Sequence, residues 1–133
     1  MGKSAIYAAN SNASTVAAGG NVPLGGVVRR YGCALSLNGD SVTVAGGGYY
    51  SVSVALTAAP TAAGTVVATL LKDGQAVPGA RAAATASAAG DSVSLSFPAV
   101  VRAQRCCGGS SLSVALTGGE ATVGSVAVEV TSL

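Results

Sequence analysis

The sequence predicts an antiparallel all-β fold. Two observations carry that reading: apolar residues recur at every second position in segment after segment, and Gly- or Asn-containing turn signals separate those segments. Between Tyr49 and Ala59, Tyr50, Val52, Val54 and Leu56 share one face, and Ser51, Ser53, Ala55 and Thr57 share the other. Ser92 to Phe97 repeats the pattern with Val93, Leu95 and Phe97 against three serines. Ser111 to Thr117 does so with Leu112, Val114 and Leu116, and Ser125 to Thr131 with Val126, Val128 and Val130. Shorter pieces at Cys33–Leu37 and Ser41–Ala45 look alike.

Asn38-Gly39-Asp40, Asp73-Gly74, Ala89-Gly90-Asp91 and Gly118-Gly119-Glu120 read as turns, because Gly and Asn tolerate positive φ. The Ala-rich stretch Ala80–Ala89 is helical by propensity. The glycines on either side of it and the interleaved Thr85 and Ser87 favour an extended strand instead. No repeat of fixed period is present.

The chain has 133 residues, of which 50% are apolar, 4% aromatic and 9% charged. That length suits one domain over residues 1–133, and the high apolar content excludes intrinsic disorder. A net charge of +2 is too mild for a nucleic-acid binder. No apolar run is long enough for a membrane-spanning helix, so no membrane insertion is expected. Asn10, Ser11, Asn12 and Ser14 interrupt the stretch where a secretory signal would need its apolar segment. Synthesis in the cytoplasm without a signal peptide is therefore expected, followed by release onto an exterior surface such as a virion or a spore. Asn12-Ala13-Ser14 matches the glycosylation sequon, a weak pattern without a secretory route.

Catalysis finds little support. The chain has no His, which removes Ser-His-Asp and Cys-His arrangements. Its carboxylates are Asp40, Asp73, Asp91, Glu120 and Glu129; four fall in turns and Glu129 on the outer side of a strand. Gly46-Gly47-Gly48 lacks a following Lys-Ser/Thr and leads into a strand, so it makes no phosphate loop. No cofactor is expected. Asp40 and Asp91 are the candidates if paired turn carboxylates hold a calcium ion.

Three cysteines cannot all pair within one chain. Cys33 shares strand parity with Leu35 and Leu37 and reads as a small buried residue. A bond from Cys33 to Cys106 or Cys107, within or between chains, is the alternative. Adjacent cysteines on a strand point to opposite faces, so at most one of that pair can share a core with Cys33. Zinc is disfavoured because the chain has neither His nor a Cys-x-x-Cys pair.

Arg29, Arg30, Arg102 and Arg105 are the one charge group to weigh. They read first as solvent-facing charge at strand ends, and second as an anion or acidic-glycan contact. Val27-Val28-Arg29-Arg30-Tyr31-Gly32-Cys33 echoes Val100-Val101-Arg102-Ala103-Gln104-Arg105-Cys106. Chance explains the echo in so Val-rich a chain; the other reading makes the two segments neighbours.

The outward faces are more informative. Ser, Ala and Thr stand where a monomeric sheet usually carries Lys, Glu and Arg to protect its surface and edges. A neutral solvated face is one explanation. A homo-oligomer is the favoured one, because a small core poor in aromatics gains from area buried between chains.

Gly48-Tyr49-Tyr50-Ser51-Val52-Ser53-Val54 resembles the Gly-x-Tyr-x-apolar strand of the tumour-necrosis-factor/complement-head jelly rolls. Leu70-Leu71-Lys72-Asp73-Gly74 is similar to their apolar strand ending in a Lys-Asn/Asp-Gly turn, and Ala89-Gly90-Asp91-Ser92-Val93-Ser94-Leu95 to a later Ala-Gly-Asp-x-apolar segment. The resemblance covers about Gly46 to Leu133, leaving Ser4–Asn10 and Val22–Val28 to supply the early strands. It implies an antiparallel jelly-roll sandwich of about ten strands that forms a homotrimer.

The aromatic-poor style is most similar to bacterial and phage members, such as heads of collagen-like spore-surface glycoproteins and short prophage structural proteins. With no Gly-X-Y stalk, the chain reads as a stand-alone head, which favours the virion over the spore surface (exosporium). The expected function is a non-enzymatic homotrimeric structural protein, a phage or prophage appendage for assembly or attachment to a host surface. Its partners would be copies of itself, with a host-surface glycan or other virion proteins as further ones. The alternative is a lectin-like carbohydrate-binding module, for which only Tyr7, Tyr31, Tyr49 and Tyr50 could form an aromatic platform. Tyr49 and Tyr50 both lying outside the core would favour it.

Overall fold

A computed structural model describes residues 4–45, 47–103 and 110–133. It contains twelve strands among the described residues: β1 Ala5–Asn10, β2 Ser14–Val16, β3 Gly20–Asn21, β4 Gly26–Tyr31, β5 Leu35–Asn38, β6 Ser41–Val44, β7 Gly48–Pro60, β8 Gly64–Lys72, β9 Gln75–Ala86, β10 Val93–Ala103, β11 Ser110–Thr117 and β12 Ala121–Ser132. None of the described residues is helical. The count exceeds the expected ten through two short strands, β2 of 3 residues and β3 of 2 residues.

The strands form two antiparallel sheets. The first runs β10-β7-β12-β1-β4, with β2 beside the start of β12. The second runs β5-β6-β11-β8-β9, with β3 beside the end of β11. Pairing between strands distant in sequence (β1 with β12, β7 with β12, β8 with β11) gives the jelly-roll-like topology.

Period-two alternation is what packs the sheets together, since every second side chain of a strand meets the opposite sheet. Val52, Val54 and Leu56 of β7, Leu95 and Phe97 of β10 and Val126, Val128 and Val130 of β12 enter the core from the first sheet. Val66 and Leu70 of β8, Leu112, Val114 and Leu116 of β11 and Leu35, Val42 and Val44 meet them from the second. The Ala-rich segment is a strand through Ala86 because β8 offers it a continuous partner, from Thr69↔Arg81 to Gly64↔Ala86. Tertiary pairing thus overrides helix propensity.

The β8–β9 hairpin turns on Asp73 and Gly74, at φ 53 and 82. Two successive positive values are what a two-residue type I′ turn requires. In the first sheet, buried Ser4, just before β1, is tied to the end of β12. Its amide donates to Ser132 Oγ at 2.9 Å, its carbonyl accepts from Ser132 N–H at 2.9 Å, and its hydroxyl accepts from Ala34 N–H at 3.3 Å.

Candidate functional site: the outer face of the first sheet

With the core side of the first sheet filled, its other side faces outward, and register fixes which residues stand level across it. One row reads Val100, Ser51, Thr131, Ala5, Tyr31. The next reads Pro98, Ser53, Glu129, Tyr7, Arg29. Beyond it lie Ser96, Ala55, Ala127 and Ala9, and then Ser94, Thr57 and Ser125. The hydroxyls of Thr57 and Ser125 share one hydrogen bond at 3.0 Å.

The middle of this face is small and almost uncharged, as the outward Ser, Ala and Thr pattern predicts. Its relief is shallow. A hollow of about 440 Å³ lies over Tyr7, Ser53, Ala55, Ser96, Pro98 and Glu129. A second of about 440 Å³ continues over Ala9, Thr57, Ser94 and Ser125. A third of about 290 Å³ lies between Tyr7, Tyr31, Arg29 and Glu129.

Each edge strand of the sheet carries exposed apolar side chains beside arginines. On β4, Val27, Val28 and Tyr31 are exposed; on β10, at the opposite edge, Val100 is exposed, and Tyr49 of β7 and Leu133 after β12 are exposed inward of it. Tyr31 and Val100 retain 59% and 60% of their accessible surface, yet they end the same row. Large side chains left this open, in clusters, mark an interaction surface.

Three expectations need correction or placing. Cys33 is exposed, because the strand starts only at Leu35 and residues 32–34 form a bend, so parity with Leu35 does not extend back to it. Cys106, Cys107 and Arg105 lie outside the described residues. Arg29 and Arg30 sit on β4 and Arg102 on β10, at opposite edges with three strands between them. At the usual strand spacing that is about 19 Å, so β4 and residues 100–103 are not neighbours within one chain.

Of the tyrosines weighed for an aromatic platform, Tyr7, Tyr31 and Tyr49 are exposed and Tyr50 is not, so the pair Tyr49–Tyr50 does not lie outside the core. Tyr49 is exposed at 57%, but Tyr50 is 3% exposed and points into the core, where burial raises its phenol pKa. Asp40 and Asp91 belong to different connections, β5–β6 and β9–β10, and Asp91 Oδ2 accepts from Ser87 Oγ at 3.0 Å. Among the described residues, no three His, Cys, Asp or Glu side chains gather as a metal-binding group would. Sequence reading missed the level rows and the apolar β4 edge. The row register could not be found from one strand at a time, and β4 has no alternation because all six of its residues are exposed.

Known structures share this architecture. A crystal structure of murine APRIL superposes with a TM-score of 0.76 at 16% identity, covering 99% of this chain and 100% of that one. The globular domain of zebrafish complement 1qA protein gives 0.68 at 11% identity, covering 94% of each chain. The chain has a tumour-necrosis-factor/complement-head-like jelly-roll fold. The vertex protein P5 of PRD1 is also similar, with a TM-score of 0.57 at 11% identity over 98% of this chain and 96% of that one. No protein-family model and no curated protein matches the sequence.

Proposed function

We propose that this chain, as one jelly-roll domain, is a non-enzymatic structural protein that assembles into a homotrimer through the outer face of its first sheet. We further assign it to the surface of a phage or prophage particle, where it serves assembly or host attachment. The observation that carries the assembly reading is the level placement of Tyr31 and Val100 on opposite edges of one face whose middle is almost uncharged. A head-to-tail interface needs two different patches on each copy, and a ring closes when rotation brings one patch onto the other. Rotation about an axis parallel to the strands preserves level, so it carries the Tyr31 edge of one copy toward the Val100 edge of the next. The likeness to PRD1 vertex protein P5 supports a place on a particle surface.

Multi-angle light scattering of the purified protein, with and without reductant, tests the assembly. The expected mass in both is about three times the chain's 12.5 kDa. A monomer in both conditions overturns the reading. Tyr31→Asp and Val100→Asp should each dissociate the particle while leaving the all-β circular dichroism unchanged.

A further inference from the structure

We propose that Arg29 of one copy pairs with Glu129 of the next in the assembled ring; this rests on the assembly reading above. Among the described residues, Glu129 is the one carboxylate on the outer face of the first sheet, and it stands in the central strand, β12. It is exposed, and no hydrogen bond or ion pair among the described residues satisfies it. Covering that face with a second copy would strip water from the carboxylate. An unpaired buried charge costs several kcal/mol, so an interface built on this face requires a cation opposite Glu129.

Two arginines rim the face, Arg29 on β4 and Arg102 on β10. Level decides between them. Arg29, Tyr7 and Glu129 occupy one row, and the 290 Å³ hollow has Arg29 and Glu129 on its walls. Arg102 pairs with Tyr49, four residues along β10 from Pro98, which ends the Glu129 row. At strand rise that displaces it by about 13 Å along the proposed axis, beyond the reach of a direct pair.

Tyr7 separates Arg29 from Glu129 within a chain, and its ring forms the floor between them. A neighbour's edge laid over this floor can therefore bring its own Arg29 onto Glu129 without crossing Tyr7. A guanidinium–carboxylate pair of this kind also sets the rotational register between copies, because a slip of two residues along the strands leaves both charges unmatched.

Sedimentation velocity across a dilution series tests the pairing. Arg29→Glu and Glu129→Arg should each raise the concentration of half-dissociation by about 30-fold or more, the scale of losing a buried charge pair. The combined variant should return to within about 3-fold of the wild type, whereas Arg102→Glu should change little. Mixing the two single variants, one of them tagged, should yield mixed oligomers in excess of either alone, because unlike copies present complementary charges. A wild-type oligomer indifferent to both reversals, rescue of Glu129→Arg by Arg102→Glu, or no gain on mixing overturns the pairing and leaves the assembly reading standing. A monomeric wild type overturns the assembly reading itself.

Discussion

Asp73 and Ser111 exchange two hydrogen bonds between neighbouring strands of the second sheet. Asp73 N–H donates to Ser111 O at 2.8 Å, and Ser111 N–H donates to Asp73 Oδ1 at 2.9 Å. The side chain of a hairpin turn thereby extends the ladder of β11 beyond its pairing with β8, which ends at Leu112↔Lys72. Asp73 also holds φ 53, a conformation that Asn shares and Ala resists.

Asp73→Ala should therefore destabilise the protein by about 1–3 kcal/mol, combining a lost acceptor with left-handed backbone strain. Asp73→Asn keeps a carbonyl oxygen at the same place and the same backbone tolerance. Its urea midpoint should lie close to the wild type, and an equal loss in both variants would refute the hydrogen-bond account.

Glycine is required at Gly118 for space as well as for conformation. A Cβ there would run into the backbone oxygen of Thr65, on a residue at φ +94. Since the obstacle is backbone, Gly118→Ala should destabilise the protein on the scale of the largest single-site losses, about 4 kcal/mol, and so lower its melting temperature strongly. Gly39 has φ +63 and open space around it, so Gly39→Asn should change little.

Alkaline stability should depend on Tyr50. Burial raises its phenol above the ordinary value of 10.0, so the unfolded chain releases the proton at lower pH than the folded one. The sign follows from linkage. This contribution to stability is complete below pH about 10 and is lost as pH rises through the folded value. Denaturant midpoints measured upward from pH 9 should fall more steeply for the wild type than for Tyr50→Phe. Parallel curves would remove Tyr50 from the account.

The two outer sheet faces should respond differently to charge. Ala127→Arg places a cation at the middle of the proposed interface, whereas Ala83→Arg places one on the outside of β9. Scattering mass should drop for the first and stay unchanged for the second. The core gives a separate check on stability: Leu112 is 2% exposed, and Leu112→Ala should cost about 2–5 kcal/mol.

Strands buried on one side were legible because burial writes itself into every second residue. Tyr50, Val52, Val54 and Leu56 face the core as their spacing predicts, as do Leu112, Val114 and Leu116. β4 carries no such record, since an edge strand overhanging the opposite sheet is exposed along all six residues. The same reason hid the candidate site. Its face depends on which residues of five strands stand level, and register is a property of pairs of strands. Cys33 shows the other limit: parity projects burial only as far as the strand itself runs, and here the chain bends first.

The Ser4–Ser132 clasp has a mechanical consequence. β1 and β12 are antiparallel neighbours, with Ala5 opposite Thr131, so the two ends of the described chain emerge side by side. Tension applied between them would act along the inter-strand hydrogen bonds and open those bonds one after another, beginning at Ser4. Load entering through both ends would unzip this protein, whereas load pulling β1 and β12 past each other along their length would meet the whole ladder at once.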